Sequence, residues 1–262
     1  MVTCPGILLR SHPYSESSRI LRFLTPDLGI VALVARGVRR KSGGGGTPET
    51  FAEGTITFQH RPDRDLHTLR DFERGTGSMA LGRDLQRFLG ASLLAELILA
   101  HALEEEGPEL YDRVRGSLAR MATLSVPELP GWILASCWST MGLLGFCPEL
   151  DQCVRCGTSF ADQGGRTTAG VGEQLPGFDA AAGGVRCAAC AVGAGLPRLG
   201  PVARSHLQCL VSGRTPFPLP GVRAHLGLLE AFALHHLSPA KGFRSFALLA
   251  EQLKVGDRKG GP

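Results

Sequence analysis

Two Cys-x-x-Cys pairs, Cys153-Val154-Arg155-Cys156 and Cys187-Ala188-Ala189-Cys190, stand 30 residues apart in a chain of 262. Around them, residues 151–197 are rich in glycine and poor in large apolar side chains. Such a segment buries too little apolar surface to fold alone, so a metal is its natural staple. One pair of thiolates at this spacing grips one side of a tetrahedral Zn²⁺, and a second pair completes the shell. Gly157 follows the first pair directly and allows the tight turn of a zinc knuckle. The stretch between the pairs leaves room for a hairpin. The expectation is one structural Zn²⁺ per chain on Cys153, Cys156, Cys187 and Cys190. The competing uses are two disulfides or a redox dithiol, but a thioredoxin-like site needs a βαβ unit and none is evident. A full cysteine shell leaves no position for water, which argues against catalysis at the metal. The His-x-Glu and Pro-Cys-x-x-Cys strings of zinc deaminases are absent. Cys137 and Cys209 read as small hydrophobes in apolar helices, and Cys4 lies apart. Cys147 is near the first pair but fits the ligand spacing less well.

Outside that segment the hydrophobic period changes near residue 80. Before it, residues 7–11, 19–25, 30–35, 55–60 and 66–72 have the alternating or continuous apolar character of short strands. Pro13, Pro26-Asp27, the glycine run 43–46 and Pro62-Asp63 punctuate them. Five short strands suggest a small barrel. The oligonucleotide-binding (OB) fold is the five-strand version, and an SH3-like barrel gives a similar pattern. After it, Leu81, Leu85, Phe88, Leu89, Leu93, Leu97 and Ala100 recur at helical steps. Further helices are expected over 109–124, 131–145, 222–237 and 243–253, with Pro127 and Pro130 as a break. The fold class is α+β and multidomain. The expected domains are an OB-fold barrel over 1–78, a helical domain over 79–150 and 198–254, an inserted Cys4 zinc finger over 151–197, and a flexible tail over 255–262.

Hydrophobic residues make up 43% and charged residues 20%, a globular balance. The longest apolar candidate, 93–103, is interrupted by Glu96 and His101, so no membrane span is expected. The N-terminus lacks a basic region followed by an apolar one, and a cytoplasmic address follows. The formal net charge of +4 says little, but Arg36, Arg39, Arg40 and Lys41 put four cations into six positions. An isolated charge run reads as a solvated loop. Projecting from a barrel of nucleic-acid-binding type, this one reads as a phosphate site. Only Tyr14, Phe23, Phe51, Phe58 and Phe72 supply aromatic rings in the barrel, so phosphate contact should outweigh base stacking. Gly75-Thr76-Gly77-Ser78-Met79-Ala80 matches a dinucleotide fingerprint, but the strand before it follows other strands rather than opening a βαβ unit, and a hinge is the better reading. No P-loop and no Gly-x-Ser-x-Gly elbow occurs. His235 and His236 read as a solvated helix end. His12 and His67 fall in barrel segments, where nucleic-acid contact is open to them but a lone histidine is usually incidental.

The run Gly6-Ile-Leu-Leu-Arg-Ser-His-Pro-Tyr-Ser-Glu-Ser-Ser-Arg19 resembles the N-terminus of the bacterial RecO family. Thr25-Pro-Asp-Leu-Gly-Ile-Val-Ala-Leu-Val-Ala-Arg-Gly-Val-Arg39 is similar to that family's strand-turn-strand and basic loop. Leu93-Leu-Ala-Glu-Leu97 resembles its first long helix, the span from Cys153 to Cys190 its zinc module, and Lys241-Gly-Phe-Arg244-Ser245 a basic element near its C-terminus. The resemblance implies a DNA repair and recombination mediator, not an enzyme, with an OB domain, a helical domain and an inserted zinc finger. It implies binding to single- and double-stranded DNA, annealing of complementary strands, and partnership with RecR. It also implies help in loading RecA onto DNA coated by single-stranded DNA-binding protein. Arg19 and Arg244 join Arg36, Arg39, Arg40 and Lys41 as DNA-binding candidates. Two rivals remain: a zinc-stabilised nucleic-acid-processing enzyme, with Asp63, Asp65 and Asp71 as the nearest carboxylates, and an RNA-binding OB module.

Overall fold

The computed structural model describes residues 1–36, 48–61, 63–75, 81–101, 107–160, 175–239 and 242–259, with side chains through 253. The chain divides into two compact units, Met1–Leu124 and Ser125–Pro262.

The first unit opens with five strands, β1 (Val2–Ser15), β2 (Ser18–Thr25), β3 (Gly29–Arg36), β4 (Glu53–Gln59) and β5 (Leu66–Arg74). They close into a barrel in the order β1-β2-β3-β5-β4, with β4 returning to β1. All pairings are antiparallel except β3–β5. That order, with one parallel pair where β5 meets β3, is OB-like and resolves the choice between barrel types. Residues of alternate parity turn inward, so Leu21 and Phe23, Leu33, and Ile56 and Phe58 fill the interior. β1 is long because it serves two neighbours: Val2–Ile7 face β4, and the residues from Ile7 on face β2. Register shifts at Leu8/Arg10 and Pro13/Ser15 bend it around the barrel. The β2–β3 turn is held by Thr25, whose Oγ1 donates to Gly29 O (3.1 Å) and accepts from Leu28 N (3.2 Å). Gly29 takes φ +56° there, the left-handed region that glycine enters without steric penalty. Gly54 is required for a different reason: a Cβ on it would stand 2.2 Å from Glu73 O.

A 3₁₀ turn at Leu81–Arg83 leads into α1 (Leu85–His101), and α2 (Pro108–Thr123) follows. The helical period thus begins four residues later than expected. Leu81 is buried in the turn, and Asp84 Oδ1 caps the helix by accepting Arg87 N at 2.9 Å. Arg87 donates to Met121 O and to Leu124 O (2.7 Å), satisfying carbonyls that the end of α2 leaves free. Arg115 of α2 pairs with Glu53 of β4, and Arg10 of β1 with Glu96 of α1 at 3.7 Å.

The second unit is built on α3 (Leu129–Leu143), buried on nearly every side. Its start precedes the expected 131 because Pro130 sits in the first turn, where no amide hydrogen is needed. Helices α4 (Ala188–Ala191), α5 (Pro201–Val211), α6 (Val222–Leu237) and α7 (Ser245–Lys259) complete the set. α5 was not anticipated, and α7 continues past residue 253 into the stretch read as a tail. A two-stranded hairpin, β6 (Gly177–Asp179) with β7 (Gly184–Arg186), lies between the cysteine pairs. Phe178 of β6 packs with Trp138 of α3 (ring centroids 6.4 Å) and Phe232 of α6 (6.1 Å). Aromatic burial therefore joins the cysteine module to the helical core. No helix among the described residues is long and apolar enough to cross a membrane.

Candidate metal centre and nucleic-acid interface

Each cysteine pair owes its geometry to local backbone. Cys153 and Cys156 sit on a turn in which Gly157 N donates to Cys153 O (2.8 Å) while Gly157 adopts φ +73°. Cys187 occupies the N-cap of α4, and the short helix presents Cys190. The pairs then converge. All four sulfurs lie within 4.8 Å of one another. Cys156 Sγ and Cys187 Sγ are 3.8 Å apart, close to the edge of about 3.8 Å that a tetrahedron with Zn–S bonds of about 2.3 Å demands. Among the described residues this is the one group of three or more candidate ligands that could hold a metal ion. Asp63, Asp65 and Asp71 form no such group. Cys147 is exposed and outside the cluster, and Cys137 is buried in α3 as expected.

Electrostatics at the cluster follow from hydrogen bonds and crowding. Burial raises the Cys153 thiol, but backbone donors from Cys187, Cys156 and Arg155 outweigh it and bring it down to about 6. Thr158 lowers Cys156 through its hydroxyl and its amide. Cys190 is pushed up to about 12, chiefly through its hydrogen bond with Cys187 and then by burial and the other sulfurs. Four thiolates cannot share this space unless a cation offsets their repulsion, and a soft, closed S₄ set suits Zn²⁺.

Side chains that sequence reasoning missed hold the module in place. Arg204 of α5 donates to Leu150 O (2.9 Å) and lies 4.9 Å above the Phe160 ring. Gln208 donates to Asp151 at 2.6 Å. His236 is not a solvated helix end: its Nε2 is 2.9 Å from Ala180 O in the hairpin turn, and its ring lies 4.2 Å from that of Phe232. Only α5, which was not recognised as a helix, brings Arg204 and Gln208 to the knuckle.

Of the six cationic candidates the structure places two, Arg19 and Arg36, on paired strands of the barrel. Arg19 opens β2 and donates its Nε to Ser11 Oγ (2.7 Å). Arg36 ends β3, exposed, and its Cα partner is Ser18, next to Arg19. Arg39, Arg40 and Lys41 lie outside the described residues, as does most of the 75–80 glycine motif. Arg244 is exposed but belongs to the second unit. Three further arginines, not anticipated, join Arg36 around one open cleft: Arg61 and Arg64 from the β4–β5 loop and Arg70 from β5. Gln59 and His67 also line it. Gln59 accepts from Arg70 Nη2 at 3.1 Å, and His67 Nδ1 accepts from Arg61 N at 3.3 Å. Elsewhere on the barrel, Arg10 of β1 and Arg22 of β2 are Cα partners across their ladder. Burial first, then Arg22, Arg10 and Arg19, lowers His12 from its ordinary value. In barrels of this topology the β2–β3 face and the β1–β2 and β4–β5 loops bind oligonucleotides, and the cleft is at the second of those loops.

The family profile described as Recombination protein O N terminal matches residues 1–74, and that described as Recombination protein O C terminal matches residues 82–242. The chain belongs to the RecO family. DNA repair protein RecO of Anaeromyxobacter dehalogenans strain 2CP-C is 31% identical over 259 residues, which cover 94% of this chain and 95% of the relative. DNA repair protein RecO of Nocardioides sp. strain JS614 is 28% identical over 250 residues, covering 92% and 96%. In the RecO protein of Synechococcus elongatus the similarity is 35% over 153 residues, 58% of this chain and 57% of the relative. RecO membership thus agrees with both parts of the structure, an OB-like barrel followed by helices that carry a four-cysteine cluster.

Proposed function

We propose that this RecO-family chain is a non-catalytic recombination mediator whose barrel binds single- and double-stranded DNA. The observation that carries the reading is the cleft where Arg36, Arg61, Arg64 and Arg70 meet beside the β4–β5 loop of an OB-like barrel. Guanidinium groups there can pair with phosphates and release counterions, which supplies affinity without sequence preference. Cationic cover also lowers the repulsion between two phosphate backbones, so complementary strands can approach and base pairing can drive annealing without nucleotide hydrolysis. Arg39, Arg40 and Lys41, which follow β3 in the sequence, and Arg244 of the second unit add further DNA-binding candidates.

One Zn²⁺ on Cys153, Cys156, Cys187 and Cys190 serves structure. It supplies the cross-link that residues 151–197 lack, and the helices around that segment offer faces for partner proteins. With RecR, the chain assists RecA assembly on DNA coated by single-stranded DNA-binding protein, in the cytoplasm at the nucleoid. The test has two halves. Complementary labelled strands should anneal on addition of the protein with no nucleotide present, and RecA filaments should form faster on coated strands when RecR and this protein are both added. Cleavage of the labelled DNA, or annealing that requires ATP, would replace this reading with an enzymatic one.

A further inference from the structure

The barrel holds few aromatic rings, and the fold withdraws most of them. Phe23, Phe51 and Phe58 are fully buried, and Phe72 packs against the core. Tyr14 is the exception, 60% exposed at the end of β1. Its position is set by the backbone. Pro13 pairs with Arg19 and Ser15 with Ser18, so two steps along β1 match one along β2 and Tyr14 is the extra residue of a bulge. Bulges at barrel rims re-aim the side chain they carry and leave it outside the ladder. This one sits just before the β1–β2 turn, one of the two oligonucleotide-binding loops of the topology. Two cations stand on the strands paired with this end of β1. Arg19 lies across from Pro13, and Ser18, across from Ser15, is itself paired with Arg36. No acidic side chain other than Glu16 stands in the 11–22 stretch.

An exposed ring held out by the backbone at an oligonucleotide-binding loop, on strands that carry Arg19 and Arg36, fits one ligand chemistry: the π-face of an unpaired nucleobase. We propose that Tyr14 is a base-stacking site and that it biases the barrel toward single strands. The inference rests on the DNA-binding reading above. In a duplex the bases are already stacked on one another and present no free face, so the ring gains nothing from paired DNA. Stacking tolerates any base, which keeps the preference structural rather than sequence-specific.

The test compares full-length wild type, Tyr14→Ala and Tyr14→Phe on a labelled single-stranded oligonucleotide, the duplex of the same sequence, and an abasic single strand of equal length. Tyr14→Ala should weaken single-strand binding about tenfold, within the range that loss of one stacked base produces. It should leave duplex affinity within about twofold and the salt slope unchanged, since no phosphate contact is removed. Tyr14→Phe should restore wild-type behaviour, and the abasic strand should not distinguish wild type from Tyr14→Ala. Equal weakening on single strand and duplex, or no weakening on either, overturns the stacking site while leaving DNA binding intact. A loss of affinity for RecR instead of DNA would assign the ring to a protein interface and overturn it as well. If wild type binds neither form of DNA, the DNA-binding reading falls, and the stacking site falls with it.

Discussion

At the residue scale, two positions carry sharp consequences. Gly54 on β4 faces Glu73 O so closely that a methyl group would lie 2.2 Å from it, with the Phe72 ring at 2.8 Å. A carbonyl in a closed ladder cannot swing away, so Gly54→Ala should cost about 1–3 kcal/mol by overpacking, read as a lower denaturant midpoint with unchanged slope. A variant as stable as wild type would mean that β4 and β5 do not approach as described. His225 on α6 is buried, its Nδ1 without a hydrogen-bond partner among the described residues. Burial, and secondarily His206, holds it down to about 4. An unfolded histidine titrates near 6.5, so on acidification the unfolded chain takes up this proton first. The stability tied to the neutral ring is complete above pH about 6.5 and is lost as pH falls toward about 4. The loss should be on the order of 1–3 kcal/mol. Unfolding curves of wild type and His225→Gln across that window test this: the variant should lose less stability on acidification, and parallel losses would assign the acid sensitivity elsewhere.

At the scale of elements, the cysteine module is tied to its surroundings in two ways. Inside it the four sulfurs converge, and outside it Arg204, Gln208, Phe178 and His236 fasten the module to α5, α3 and α6. Elemental analysis of the purified protein should give one zinc per chain. Cys187→Ser should raise hydrogen exchange in the hairpin and knuckle before the helices respond, because the helices have their own apolar contacts. A folded, metal-free wild type in reducing buffer would contradict the structural role. Arg204→Ala should loosen the knuckle without releasing metal, since Arg204 touches the Leu150 carbonyl and the Phe160 ring but no sulfur. The four-cysteine cluster was legible in the sequence because Cys-x-x-Cys is a local signal whose chemistry depends on spacing alone. α5 was not: Val202 is exposed and only Leu207 and Leu210 are buried, so its apolar period is faint. Missing the helix meant missing Arg204 and Gln208.

At the scale of the whole molecule, the five strands were legible from inward-facing residues such as Leu21, Phe23, Leu33, Ile56 and Phe58, whose alternation marks a half-buried strand. Their closure was not, because the parallel pairing of Ala32 with Leu66 and Val34 with Thr68 joins segments more than thirty residues apart. The same pairing assembles the cationic cleft. Arg36 was visible as part of a charge run, whereas Arg61 and Arg64, interleaved with Asp63 and Asp65, read as an ordinary turn. DNA binding by the barrel is therefore tested best on the arginines that only the fold brings together. The measurement is the dependence of single-strand affinity on salt, for wild type and for the double variant Arg61→Glu, Arg64→Glu. The variant should bind more weakly on every sequence, and its log–log salt slope should flatten by about one unit per phosphate contact removed. A double variant with wild-type affinity and an unchanged slope would contradict the assignment of DNA to this cleft.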